Sequence, residues 1–220
     1  MLLDLHNHTR HSPDSRVAPA DLVATAQRVG LAGIAITDHN SIDGVREARD
    51  AAQGAFLVIP GIEVSTRSGH VLGYGVREGI PRGLTVRETA ERIVAAGGVP
   101  VAAHPFRFWS GLGAAALEQA SFPAYETCNA RTLRRGNMRA RALARERKIG
   151  ETGGSDSHFL DEVAKAVTAI DAGDLPLDHV LQEIARGKTT AQGRDRDAGA
   201  TVRYVTKAVS EWIGRGMHRI

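Results

Sequence analysis

The sequence has one cysteine, Cys128, which excludes an internal disulfide and points to a reducing compartment. Aromatic residues make up only 5%, against 24 glycines. That balance favours small-residue α/β packing over an aromatic-rich β-sandwich. No apolar run reaches the roughly 18 residues a membrane span needs. The N-terminus has no basic stretch leading into an apolar core, so no signal peptide is read and the cytoplasm is the expected compartment. The formal charge of +3 and pI near 9.3 are mildly basic. No Lys/Arg run is long enough to argue by itself for nucleic-acid binding. No lysine precedes Lys148.

What is present reads as one globular domain over residues 1–220, with 28 basic against 25 acidic residues and 42% hydrophobic content. The patterning predicts strands at 2–5, 33–37, 56–59, 70–75, 99–103, 123–128, 149–152 and 166–170. Helices are expected at 19–29, at 41–52 with Ser41 as cap, at 85–96 with Thr85 as cap, at 134–147 and at 176–186. Alternation of this kind argues for βαβ units and parallel strands. The polar, Gly-rich stretch 187–200 is expected to be mobile, and about 200–220 to form a tail with an amphipathic helix at 201–213.

Against that frame the stretch DLHNHTRHSPDS, residues 4–15, acquires meaning. Side chains alternate along a strand, so Asp4, His6 and His8 share a face. They fall where the first strand ends, and in β/α barrels the carboxyl ends of strands carry the site. The placement recurs in TDHNSIDG (Asp38, His39), PGIEVS (Glu63), the strand beginning at His70, AAHPF (His104) and GGSDSH (Asp156, His158). Repeated imidazole and carboxylate at strand ends is the donor chemistry of Zn, Mn or Fe(II). Such ions lower the pKa of bound water and clamp oxyanions.

These motifs, in this order over residues 4–158, resemble the PHP (polymerase and histidinol phosphatase) superfamily. The resemblance implies a distorted seven-stranded (β/α) TIM-like barrel with up to three divalent ions at the strand carboxyl ends. By motif, one ion would take His6, His8, Glu63 and Asp156. A second would share Glu63 and add His70 and His104, and a third would take Asp14, His39 and His158. A metal-bridging hydroxide, held through Glu63, Asp156 and His104, would be the nucleophile of a phosphoric ester hydrolase. The substrate class implied is a phosphate monoester, a nucleotide or a short oligonucleotide. Glu126 and Asn129 fill a Glu-x-x-Asn pattern of short PHP phosphoesterases. No polymerase region is present.

Among possible phosphate-binding groups, Arg131 ranks first and Arg135 second, with Asn129 and Arg107 beside them; Arg134 shares the helix's first turn. His11, His179 and His218 read as loop or surface histidines, and Cys128 as packing. Asp38 could orient a histidine or cap a turn, and Asp4 could support the site or form a buried ion pair. The glycines of GGSDSH are expected to let backbone pass close to metal. Two other classes compete. An amidohydrolase-type hydrolase usually needs a bridging carboxylated lysine, and no lysine lies before residue 148. A non-catalytic metal-binding module with a regulatory or partner-binding role would be expected to have lost ligands, and all nine positions are filled.

Overall fold

A computed structural model describes residues 1–194, apart from 53, 55, 172, 174 and 175. Residues 195–220 lie outside it, and with them the expected tail helix and His218. The strands are β1 (Leu2–Asp4), β2 (Gly33–Ile36), β3 (Leu57–Thr66), β4 (Gly69–Tyr74), β5 (Val99–Ala102), β6 (Ala124–Asn129), β7 (Gly150–Gly154), β8 (Ala166–Ala169) and β9 (Thr190–Gly193). They form one sheet in the order β7-β6-β5-β4-β3-β2-β1-β8-β9. The sheet curls into a barrel. It closes where Asn7, just past the interior strand β1, bridges Ser157, just past the edge strand β7, in parallel. The α/β barrel implied by the sequence is therefore present, with nine strands in the sheet rather than seven.

Two departures from a parallel barrel follow from particular residues. The strand expected at 56–59 does not stop before Pro60–Gly61; β3 runs straight through to Thr66. Up to Pro60 the strand pairs in parallel with β2; from Gly61 it pairs antiparallel with β4. A side chain at Gly61 would lie 2.8 Å from both the Ile36 carbonyl and the Thr37 methyl, so glycine permits the handover. Strands β3, β4 and β5 are thus consecutive antiparallel neighbours without an intervening helix between β3 and β4. At the other edge β8 is antiparallel to both β1 and β9. Residues 190–193, inside the stretch expected to be mobile, are β9.

Helices α1 (Pro19–Arg28), α2 (Gly44–Ala51), α3 (Val86–Ala95), α4 (Gly113–Leu117), α5 (Arg134–Arg147) and α6 (Leu177–Ala185) accompany the sheet. Thr85 caps α3 in a reciprocal box with Glu88, as its spacing suggests. Ser41 does not cap α2; it accepts the Asp43 N–H one turn earlier, and the helix begins at Gly44. One core cluster joins strand residues Leu3, Leu5, Ile59, Leu72 and Val101 to Val180 and Ile184 of α6. A second packs Ile62, Val64 and Val71 against α3 and α4, and a third packs β2 against α1 and α2. Among the described residues no helix is long and apolar enough to cross a membrane.

Barrel closure is hydrogen-bonded as well as packed. Buried Asp4 accepts the Ser155 N–H and hydroxyl at 2.9 and 2.5 Å, the Ala164 N–H at 2.9 Å and the His6 N–H at 3.3 Å. Among the described residues it forms no ion pair; it ties β1 to the turn after β7. Burial raises its carboxyl to about 6 despite these bonds. Asp4→Asn removes that penalty but turns an NH₂ toward backbone donors, and an unmade buried bond costs about 1–3 kcal/mol. The variant should melt roughly 5 °C lower than wild type, as measured by calorimetry at pH 7.

Candidate metal centre

The barrel mouth gathers all nine side chains singled out by the motifs. His6 and His8 follow β1, Asp14 lies in the loop beyond, His39 follows β2, His104 follows β5, and Asp156 and His158 follow β7. Glu63 lies inside β3 rather than after a strand. It is nonetheless level with the mouth, because its N–H and C=O bond the backbone of Asp38 and Asn40 just past β2. His70 is the second residue of β4 and faces Glu63 across the hairpin. Two of the nine hold left-handed backbone without being glycine: His104 at φ 26° and Asp156 at φ 54°. Strain of this kind persists where surrounding contacts impose it.

Glu63 occupies the centre. Its Oε2 lies 3.2 Å from both His6 Nε2 and His8 Nε2, which are themselves 3.1 Å apart, and 3.3 Å from His39 Nδ1. Its Oε1 lies 2.8 Å from His70 Nδ1 and 2.9 Å from His104 Nε2. Asp156 Oδ1 is 3.3 Å from His8 Nε2 and 3.7 Å from His6 Nε2. Asp14 Oδ2 is 2.7 Å from His158 Nε2 and 3.6 Å from His39 Nε2. Four overlapping sets of donor atoms are close enough to share an ion: His8, Asp14, His39 and His158; His6, His104 and Asp156; His6, His8 and Glu63; and His39, Glu63 and His70.

This donor set fits divalent ions. The His6–His8–Glu63 triangle, with sides of 3.1–3.2 Å, has the spacing of neighbouring ligands that each sit about 2.0–2.1 Å from a common ion. Asp14 Oδ1 and His39 Nδ1 are buried without a hydrogen-bond partner, as atoms reserved for a cation would be. The protonation pattern is that of a site competing for positive charge. Burial disfavours charged imidazole at His6, but the carboxylates of Glu126, Asp156 and Glu63 outweigh it and hold the ring well above its usual range. His8 is raised to about 9 by Asp156 and Glu63 against the same burial. His70 is lowered to about 4 by burial, and His158 to about 3 by burial and by Arg131. Protons and cations therefore compete for His6 and His8, while burial favours the neutral, lone-pair form of His70 and His158.

Supporting contacts orient the rings, and two of them had no distinct signal in the sequence. Glu126 holds His6 Nδ1 at 2.9 Å through one oxygen and accepts the His104 N–H at 2.8 Å with the other. Ser12 meets His8 Nδ1 at 3.0 Å and accepts the His39 N–H at 2.8 Å. Glu126 was legible only as part of Glu-x-x-Asn, and Ser12 as one serine among several. Asp38 neither holds a site imidazole by a hydrogen bond nor caps its own turn; it accepts the Thr9 N–H and hydroxyl at 2.6 and 2.7 Å, tying the loop after β2 to the loop after β1. The glycines of GGSDSH let their backbone pack directly against His6 and against β8. A Cβ on Gly154 would lie 2.3 Å from His6 Cβ, and one on Gly153 would lie 2.4 Å from the Val167 carbonyl.

The residues considered for substrate separate into two groups. Arg107 donates to Asp156 Oδ2 at 2.6 Å, and Arg131 contacts the His158 ring and the Asp156 carbonyl. Asn129 is fully buried, and its amide bridges Glu126 at 3.1 Å and Asp156 at 3.2 Å. Arg134 and Arg135 are exposed on the first turn of α5, away from this cluster of contacts. His11 lies 3.8 Å from Glu47, His179 is exposed on α6, and Cys128 is buried. Among the clustered groups His70, Arg107 and Asp14 keep partial exposure, at 17, 13 and 12%, and Arg131 is likewise half-buried. They mark the open side of the mouth.

A barrel with clustered metal-capable histidines and carboxylates at one mouth defines the class. The PHP domain family model matches residues 4–144, and a PHP-associated model matches residues 134–189. The chain belongs to the PHP family. A 5'-3' exoribonuclease of Haemophilus influenzae is 26% identical over 228 residues, covering 97% of this chain and 77% of that protein. An uncharacterised protein of Methanocaldococcus jannaschii is 37% identical over 118 residues, 48% of this chain and 68% of the other. The fold superposes with a TM-score of 0.71 on a two-domain Bacteroides vulgatus protein containing a predicted PHP-like metal-dependent phosphoesterase. Identity is 18%, over 88% of this chain and 65% of that one.

Proposed function

We propose that the protein is a metal-dependent phosphoesterase that hydrolyses a phosphate monoester, a nucleotide or a short oligonucleotide. The observation that carries this reading is Glu63, whose two oxygens face different histidine sets: His6, His8 and His39 on one side, His70 and His104 on the other. A carboxylate so placed can be shared between two ions. In this reading His6, His8, Glu63 and Asp156 hold one ion, Glu63, His70 and His104 a second, and Asp14, His39 and His158 a third. Zn, Mn and Fe all suit the donor set. When bound, such ions supply Lewis acidity, activating water and neutralising phosphoryl oxygens.

The chain's own groups do the positioning. Glu126 fixes the His6 ring by Nδ1, leaving Nε2 for the centre, and Ser12 does the same for His8. Arg107 and Arg131 stand beside Asp156, where their guanidiniums can turn to grip a phosphoryl group bidentately. The 5'-3' exoribonuclease activity named for the Haemophilus influenzae relative makes nucleotides and oligonucleotides a leading part of the substrate range. The filled ligand set argues against a purely structural module, and with no lysine before Lys148 Glu63 suits a bridging role better than a carboxylated lysine would.

A hydrolysis screen of manganese-, zinc- and iron-reconstituted protein over sugar phosphates, nucleotides and short oligonucleotides, scoring release of phosphate from monoesters and of nucleotides from oligonucleotides, tests the reading. Release from at least one class is expected, and none from any would overturn it. On the best substrate, Arg107→Ala and Arg131→Ala should each lower kcat/KM about tenfold to a hundredfold, the scale of one charge-assisted hydrogen bond. Wild-type kinetics for both inner variants would leave the phosphate to the metals alone.

A further inference from the structure

The loop after β5 carries a feature that phosphate chemistry does not need. Phe108 and Trp109 are 84 and 81% exposed, their rings edge to face at 4.6 Å, in a chain that is only 5% aromatic. The loop beneath them is pinned. Arg107 N–H bonds the His104 carbonyl at 2.9 Å, Gly111 N–H bonds the Arg107 carbonyl at 3.0 Å, and His70 N–H bonds the Ser110 carbonyl at 3.2 Å. Gly111 is packed so tightly that a Cβ would sit 2.5 Å from the Arg107 carbonyl. The aromatic tip thus projects from a fixed backbone strung between two members of the centre, His104 and His70.

The neighbouring loops repeat the pattern. Leu133 at 51% exposure follows Arg131, and Phe159 and Leu160 at 36 and 38% follow His158. Half of the mouth, the loops after β5, β6 and β7, is therefore apolar at its rim and lined inside by Arg107 and Arg131. Arg134, Arg135 and Arg139 are exposed along the start of α5, with Arg139 lying over the Phe106 ring at 4.1 Å. Aromatic faces interleaved with arginines match a single strand of nucleic acid, whose bases stack while its phosphates pair with cations. A sugar phosphate would leave both rings in water.

We infer that Phe108 and Trp109 form a stacking platform for a nucleobase, which makes a nucleotide or single-stranded oligonucleotide the substrate class of this centre. The inference rests on the phosphoesterase reading for its reaction, but not for binding. The test compares 5'-phosphorylated pentaadenylate with ribose 5-phosphate on manganese-loaded protein. Both rings are surface groups, so a Phe108→Ala/Trp109→Ala variant should fold normally. The wild type should prefer pentaadenylate, and the variant should lose about tenfold or more of that preference, through KM. Trp109→Phe should retain most of it. An unchanged preference would overturn the platform. If neither compound is hydrolysed, the phosphoesterase reading fails separately and calorimetric binding of pentaadenylate decides. At least about tenfold weaker binding by the double variant supports the platform, whereas equal binding, or none by wild type, overturns it. Loss of sedimentation with anionic lipid vesicles, with pentaadenylate binding intact, would also overturn it by assigning the rings to a membrane surface.

Discussion

Glu63→Gln should strip the protein of metal and of hydrolytic activity together. Glutamine keeps the length and shape of the side chain but replaces one oxygen with an NH₂ that cannot ligate a cation. Whichever way the amide turns, one of the two histidine sets, His6–His8–His39 or His70–His104, loses its shared carboxylate oxygen. The charge matters as much as the atom. Burial opposes ionisation of Glu63, yet His39, His70 and His6 hold its carboxyl well below the usual range, so the wild-type group is a full anion at neutral pH. Elemental analysis should find more than one equivalent of transition metal in gently purified wild type and a clear deficit in the variant. The expected fall in kcat/KM is roughly a thousandfold or more, the scale of losing a Lewis acid that activates water. A variant that keeps its full metal complement and still loses activity would move Glu63 to an acid/base role.

The sequence exposed the site more fully than the scaffold, for a physical reason. Ligand chemistry is written in residue type: His6, His8, His39, His104 and His158 announce themselves whatever the backbone does. Strand direction is not written that way. Pro60–Gly61 carries the signature of a turn, and only the close approach of Ile36 and Thr37 to Gly61 shows why the strand continues. Thr190–Gly193 is short, polar and largely exposed, so nothing in its composition separates a strand held at a sheet edge from a loop. Arg107 and Arg131 were both legible as arginines just past strand-end motifs, whereas the pairing of Arg107 with Asp156 needed the fold. Arg135, one helical turn on, is carried outward by the same geometry.

Asp156→Asn is the second substitution expected to have a large effect, and it separates charge from backbone. Asp156 sits at φ 54°, where asparagine is among the few residues tolerated, so the turn between β7 and His158 should keep its shape. Its carboxylate works in two directions. Oδ1 lies 3.3 Å from His8 Nε2, while Oδ2 accepts from Arg107 at 2.6 Å and from Asn129 at 3.2 Å. The amide loses the anion on both sides, leaving Arg107 and Arg131 beside a neutral group. We expect kcat/KM to fall roughly a hundredfold to a thousandfold. Metal should be lost less completely than in Glu63→Gln, because Asp156 faces the histidines with one oxygen and the arginines with the other. Stability gives an independent readout. Burial opposes the Asp156 charge, but His6, Arg107 and His8 hold its pKa well below the usual 3.8. A carboxylate depressed by folding stabilises the native state above its unfolded pKa, and that contribution drains away as pH falls through the folded value. In metal-free protein the wild type should therefore be more stable than Asp156→Asn by a margin that is full above about pH 5 and narrows below about pH 4. Denaturant melts of both proteins across that range measure the margin directly. A gap that stays constant from pH 7 to pH 3 would mean that the variant acts through packing, and that the ion pairs of Asp156 with Arg107 and the histidines contribute nothing to folding.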